Sequence, residues 1–170
     1  MNYKTGKTRA IKIFWILLAV FWMAVIFRFS GQRAQVSSEI SGSLSYRLAE
    51  RVSEWCSFGW GEETLLRYAD LWEHPLRKAA HMTEYAILAG LFLGNFFQYS
   101  IRRKYFPAWL CSACYAATDE FHQLFVEGRS GQVTDVCIDS IGALLGLCVI
   151  YLMLLLVQRL SQKRQGKINN

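Results

Sequence analysis

Four long apolar stretches, at 13–29, 79–97, 105–118 (running on less cleanly to 125) and 136–157, leave this 170-residue chain little choice of solvent. A helix rising 1.5 Å per residue needs about 20 apolar residues to cross hydrocarbon, and each stretch extends to about that length. Core helices of soluble domains are rarely so continuous. The layout predicts an all-α integral membrane protein with transmembrane helices at about 11–29, 78–98, 105–124 and 134–157.

The basic residues then fix orientation. Lys4, Lys7, Arg9 and Lys12 precede the first stretch, Arg102, Arg103 and Lys104 lie between the second and third, and Arg159, Lys163, Arg164 and Lys167 follow the fourth. None of these segments contains an Asp or Glu, so every acidic residue falls in the alternate segments or inside a stretch. That asymmetry is what the positive-inside rule predicts with both termini cytoplasmic. It also accounts for the net charge of +6 without nucleic acid, since no basic groove or stacking platform is suggested. Bulky Phe27, Arg28 and Phe29 stand where a signal peptide would need small residues, so the first stretch reads as an uncleaved span. Cys111 and Cys114 lack a second pair or a histidine at zinc spacing; they read as small core residues, and no disulfide is expected.

The connection 30–76 is too long for a structureless loop in one small domain, 1–170, and is expected to hold amphipathic helices on the outer side. Val36, Ile40, Leu44, Leu48, Val52 and Trp55 recur at steps of four or three, forming a stripe that can lie in the membrane interface or cover the mouth of a bundle. Gly59 and Gly61 break that helix, and Glu62 and Glu63 open a second. Leu65, Leu66, Tyr68, Ala69, Leu71 and Trp72 are expected to bury it, and His74-Pro75 to end it. The third span is expected to begin near Pro107, and Ser130 or Thr134 to cap the fourth. No repeat or second domain is visible.

With these orientations the polar residues of three spans reach one level. Lys78, His81, Glu84 and Tyr85 share a face in the outer half of the second span. Asp119, Glu120, His122 and Gln123 end the third, and Asp135 and Asp139 lie one above the other at the start of the fourth. Arg28, Ser30, Gln32 and Arg129 join the same layer. Charges at membrane depth cost roughly 2.5–3.5 kcal/mol each, so they are expected to face inward, with Asp119, Asp135 and Asp139 paired to Lys78, Arg28 or Arg129. Gly142 and Gly146 extend the Asp135–Asp139 face and let a neighbouring helix pack close. Gly90 and Gly94 fit an internal contact, or a homo-oligomer.

In series these pieces resemble the VanZ-like membrane proteins. The matching segments are Phe29-Ser30-Gly31-Gln32, Lys78-x-x-His81-x-x-x-Tyr85, Asp119-Glu120-x-x-Gln123-x-Phe125 followed by Arg129, and Asp135-x-x-x-Asp139-x-x-Gly142-x-x-x-Gly146. Gly31 replaces an expected second Ser, and Asp139 replaces an expected Asn, adding an acid to the pocket. The resemblance implies a bacterial cell-envelope protein linked to resistance to the glycopeptide teicoplanin, with Lys78, His81, Tyr85, Asp119, Glu120, Gln123, Arg129 and Asp135 as its functional set. It supplies no reaction.

Several readings of the cluster follow from its chemistry. It can be a hydrogen-bonded network that only fixes packing. It can bind or transport an anionic envelope lipid or lipid-linked wall precursor, with Lys78, Arg28 and Arg129 on a phosphate. It can be an intramembrane enzyme, with His81 or His122 as base oriented by Asp119 or Glu120. A metal site from His81, Glu84, Asp119, Glu120 and Asp135 has the poorest signal, with no HExxH, and neither metal nor cofactor is expected.

Overall fold

The computed structural model describes residues 3–168, without the side chains of 3–7, 101, 102 and 166–168. Lys4, Lys7, Arg102 and Lys167 of the basic segments therefore lie outside the described side chains. The described chain is all-helical, with five helices: α1 Tyr3–Ser30, α2 Ala34–Trp55, α3 Glu62–Asn95, α4 Ile101–Gln123 and α5 Val133–Ile168. Two segments, Thr8–Ser30 in α1 and Val133–Gln165 in α5, are long and apolar enough to cross a membrane.

Helices α1, α3, α4 and α5 enclose the core, in which Ile26, Tyr85, Leu88, Leu93 and Leu147 meet Ala89, Ala108, Ala116 and Ala143. Small residues at the contacts let backbones approach. A Cβ on Gly142 would lie 2.6 Å from the Cα of Met82, and one on Gly146 2.8 Å from the Cα of Ala86, so α5 rides directly on the α3 backbone. Gly90 faces Ile150, and Gly94 receives the indole of Trp15 from α1, which makes that glycine pair an internal contact. Aromatic side chains also reach neighbouring carbonyls: Trp22 Nε1 donates to Glu84 at 2.9 Å, Tyr115 Oη to Met23 at 2.6 Å and Trp109 Nε1 to Ser140 at 3.1 Å. Large apolar side chains cover the outside, including Leu17, Val20 and Phe21 of α1 and Leu144, Leu145 and Leu152 of α5.

Helix α3 overturns an expected stop. Pro75 lies inside it, where its ring removes one N–H and crowds the carbonyl of Leu71, a loss of about 3 kcal/mol in an unsupported helix. Packing on both sides of Pro75 offsets the loss. Upstream, Ala69 is buried and Glu73 accepts a hydrogen bond from Ser41; downstream, Tyr85 and Leu88 enter the core. The predicted second loop helix and second span are thus one rod. Of the residues expected to bury its outer half, Leu66 and Leu71 stay exposed. Helix α4 likewise starts at Ile101, six residues before the expected Pro107.

Among the described helices α2 packs on α3 alone, its first turn also meeting the turn before α5 through the Ala34 N–H on the Glu127 carbonyl, and it does so with the face opposite to the one a soluble protein would choose. Ser41, Ser45, Ala49 and Ser53 are buried, whereas Val36, Ile40, Leu44 and Leu48 of the apolar stripe are exposed. Ser45 Oγ donates within the helix to the Ser41 carbonyl at 2.8 Å, while the Ser41 hydroxyl serves Glu73 of α3 at 2.6 Å. Ser53 Oγ accepts the Trp60 N–H at 3.0 Å. The helix ends with Ser57 in the left-handed region at φ 56° and the Phe58 N–H bonded to Ser53.

Candidate functional site

The middle of α3, the ends of α2 and α4, the 128–132 turn and the start of α5 surround a cavity of about 370 Å³. Lys78, His81, Glu120, Gln123, Asp135 and Asp139 line it, with Arg129 and Arg77. Lys78 Nζ forms an ion pair with Asp135 Oδ1 across α3 and α5, each side chain 23% exposed. The next turn of α3 brings His81, whose Nδ1 is 3.8 Å from Glu84 Oε2.

Glu120 is almost fully buried and does two structural tasks. Its Oε1 accepts from Gln123 Nε2 at 3.1 Å, and its Oε2 accepts the backbone N–H of Gln132 at 3.0 Å. A carboxylate from α4 thereby satisfies a donor at the entry to α5, where the helix dipole favours negative charge. Neither expected cap does this. The Thr134 hydroxyl donates to Gln132 Oε1 and that of Ser130 accepts from Gln132 Nε2, because the turn aims both side chains at Gln132. Gly131 lies against the Glu120 carbonyl, so no side chain would fit there.

Arg129 spans the cavity rim. Its Nε donates to the Gln32 carbonyl at 3.0 Å and its Nη1 to Gln123 Oε1 at 3.4 Å. Among the described residues it has no carboxylate within ion-pair distance, unlike Lys78 and Arg77. Burial, and after it the charge of Arg77, pulls the Arg129 pKa below the ordinary guanidinium value, while Asp119, Glu120 and Glu84 pull it back. A guanidinium stays protonated here, so its charge is held half-buried between Arg77 on one side and the carboxylates of Asp119, Glu120 and Glu84 on the other.

Not every expected residue faces this space. Arg28 is exposed and does not line the cavity; at the end of α1 its side chain points outward, so it pairs with none of the three aspartates. His122 also lies off the cavity, stacked on Phe27 with ring centroids 4.1 Å apart and close to Gly31, because its place on α4 turns it toward α1. That removes one of the two expected bases. Tyr85 and Asp119 lie deeper, where the Tyr85 hydroxyl and Asp119 Oδ1 are each sealed from solvent without a hydrogen-bond partner among the described residues. Asp119 Oδ2 is reached by Gln123 Nε2 at 3.4 Å. Asp139 lines the cavity, 2% exposed, with no ion pair, and Asp135 is the only one of the three aspartates to find an expected cation. No group of three or more His, Cys, Asp or Glu suited to a metal occurs among the described residues.

Arg77 escaped the sequence reading. Its Nη1 donates to Glu73 Oε1 and to Ser38 Oγ, both at 3.0 Å, which ties α3 to α2 beside the cavity. The spacing of Glu73 and Arg77 by four was the available signal. Glu84 and Gln32 line a second, more apolar space of about 410 Å³ that adjoins the first. All five cysteines carry free thiols.

Comparison with known proteins gives one result. The family model described as VanZ/LLP1 matches residues 14–156, most of the chain and every residue that lines the cavity. No curated protein and no solved structure matches the chain.

Proposed function

Given that this chain belongs to the VanZ/LLP1 family, we propose that it is a multi-pass protein of the bacterial cytoplasmic membrane. Its cavity binds the anionic head of an amphipathic envelope lipid or lipid-linked wall precursor, and its link to envelope function is teicoplanin resistance of the VanZ kind. Helices α1, α3, α4 and α5 are read as four spans with both termini inside. The apolar lengths of α1 and α5 support this, as does the packing of the inner half of α3 against both α1 and α5. The absence of acids from the basic segments supports the orientation.

The observation that carries the binding role is Arg129. A half-buried guanidinium that among the described residues bonds a carbonyl and an amide but no carboxylate, and whose repulsion by Arg77 is offset only at longer range by Asp119, Glu120 and Glu84, gains from a phosphate, with its planar fork suited to two oxygens. Lys78, held by Asp135, adds charge beside it. A packing network alone leaves the lack of a carboxylate partner for Arg129 without a reason.

The test is bound-lipid mass spectrometry on protein extracted with its native lipids. The wild type is expected to be enriched in an anionic amphiphile over the bulk membrane, and Arg129→Ala to lose that enrichment at unchanged protein abundance. Identical lipid profiles for the two proteins would remove the binding role.

A further inference from the structure

The second space lies between α2 and α3. On α3, Leu76, Ala79, Ala80 and Thr83 follow one another around a single face, and three of these four side chains are small. Ile40 and Leu44 of α2 form the opposite wall, and Phe29 borders the end nearest α1. The result is a trough whose apolar surface is open along one side, because the stripe of α2 points outward.

At its inner end the trough reaches Ser37, Arg77, His81 and Arg129, and these same four residues line the polar cavity. The two spaces therefore meet at these four side chains, of which Arg77 is paired with Glu73 and Arg129 has no carboxylate within ion-pair distance among the described residues. The lining of the trough disfavours two occupants. Apart from the four shared residues the polar side chains along the trough are Gln32, Ser41, Thr83 and Glu84, and the rest of the wall is apolar, so water there finds few partners. A peptide segment would leave its backbone N–H and C=O groups unpaired against the same surface. A hydrocarbon chain has no polar groups to satisfy, and an anion at its end would reach Arg129 and Arg77.

We propose that the trough between α2 and α3 seats the hydrocarbon tail of the molecule whose head occupies the cavity, so that the ligand is a phosphate-headed lipid entering sideways between these two helices. This rests on the headgroup reading and adds the class of ligand and its route. The volumes of about 370 and 410 Å³ each lie in the range of ordinary ligand sites, roughly 300–1,000 Å³. Sideways entry also fits the placing of α2, which among the described helices packs on α3 alone and leaves the trough uncovered by another helix.

The test uses the full chain in phosphatidylcholine nanodiscs and hexadecyl phosphate carrying a photoreactive diazirine in mid-chain. After illumination, peptide mapping is expected to find adducts on α2 and α3 around Ile40, Leu44, Ala80 and Thr83. Ala80→Trp, and independently Thr83→Phe, fill the trough and are expected to lower that labelling about tenfold, with melting temperature checked for each. Unlabelled hexadecyl phosphate should compete, and glycerol phosphate or inorganic phosphate should not. Labelling that persists in both filled variants, or that falls only on α5, overturns the trough. The headgroup reading still stands in that case if Arg129→Ala abolishes retention of the probe, and falls with it if Arg129→Ala changes nothing. Competition by inorganic phosphate as strong as by hexadecyl phosphate would assign the cavity to a free anion and overturn the lipid route.

Discussion

Replacing Gly142 by alanine puts the backbone-to-backbone contact of α5 with α3 under load. The new methyl would lie 2.6 Å from the Cα of Met82 and 2.9 Å from its carbonyl carbon, where ordinary contact begins at 3.4 Å. These are backbone atoms, so no side chain can turn aside, and α3 and α5 must separate by roughly 0.8 Å. A gap of that size forfeits roughly a quarter to a half of each contact's attraction along the seam. Overpacking costs about 1–3 kcal/mol, and against backbone atoms that cannot yield the upper part of that range applies, about 2–3 kcal/mol, while alanine gains about 1 kcal/mol over glycine in a helix. The net loss of about 1–2 kcal/mol lowers the melting temperature by about 2–8 °C for a chain of this size. Gly42→Ala in α2 is the control, because a methyl there meets nothing within 4 Å. It gains the helix preference alone and should raise the melting temperature by about 2–4 °C. The assay is thermal unfolding followed by tryptophan fluorescence, with both variants in one detergent. A Gly142→Ala protein at least as stable as wild type would refute the packing of α5 on the α3 backbone.

Three further outcomes are expected. Lys78→Ala strands the Asp135 carboxylate and lowers thermal stability by about 2 kcal/mol, less than for a sealed pair because both side chains are 23% exposed; exchanging the residues, Lys78→Asp with Asp135→Lys, restores at least half, and no recovery would deny the pairing. Glu120→Ala frees the Gln132 N–H and the Gln123 amide together and costs about 2–4 kcal/mol in the same melts; a loss indistinguishable from zero would place the α5 entry elsewhere. In a variant keeping only Cys56, which is exposed just after α2, an impermeant maleimide labels intact cells; labelling only after lysis would invert the proposed orientation.

Much of the site was readable because it depends on spacing along helices. Lys78, His81, Asp135 and Asp139 share faces by steps of three and four, and because α3 and α5 run in the same direction their polar first halves meet at one level. The close approach at Gly142 and Gly146 was readable for the same reason. What failed depends on rotation about the helix axis. His122 and Arg28 lie at the right level but turn toward Phe27 and outward, and only tertiary packing decides that. Arg77 was passed over because it is one residue away from the face carrying Lys78, yet its long side chain reaches the cavity. The stop at Pro75 followed a local rule that packing on both sides overrides. For α2 the pattern was seen and its direction left open; the rule that apolar faces turn inward presumes water outside, and the exposed leucines of this helix fit hydrocarbon there instead.

The inverted seating of α2 has a mechanical result. Its seam with α3 is made of hydroxyls, one alanine and the Glu73–Arg77 pair, so what fastens it is a handful of short-range bonds. Parting the two rods would uncover almost no greasy surface that is not already bare. The attachment can thus yield and re-form without the collapse that follows when an oily interior is breached, and the wall most easily displaced is the one beside the charged chamber.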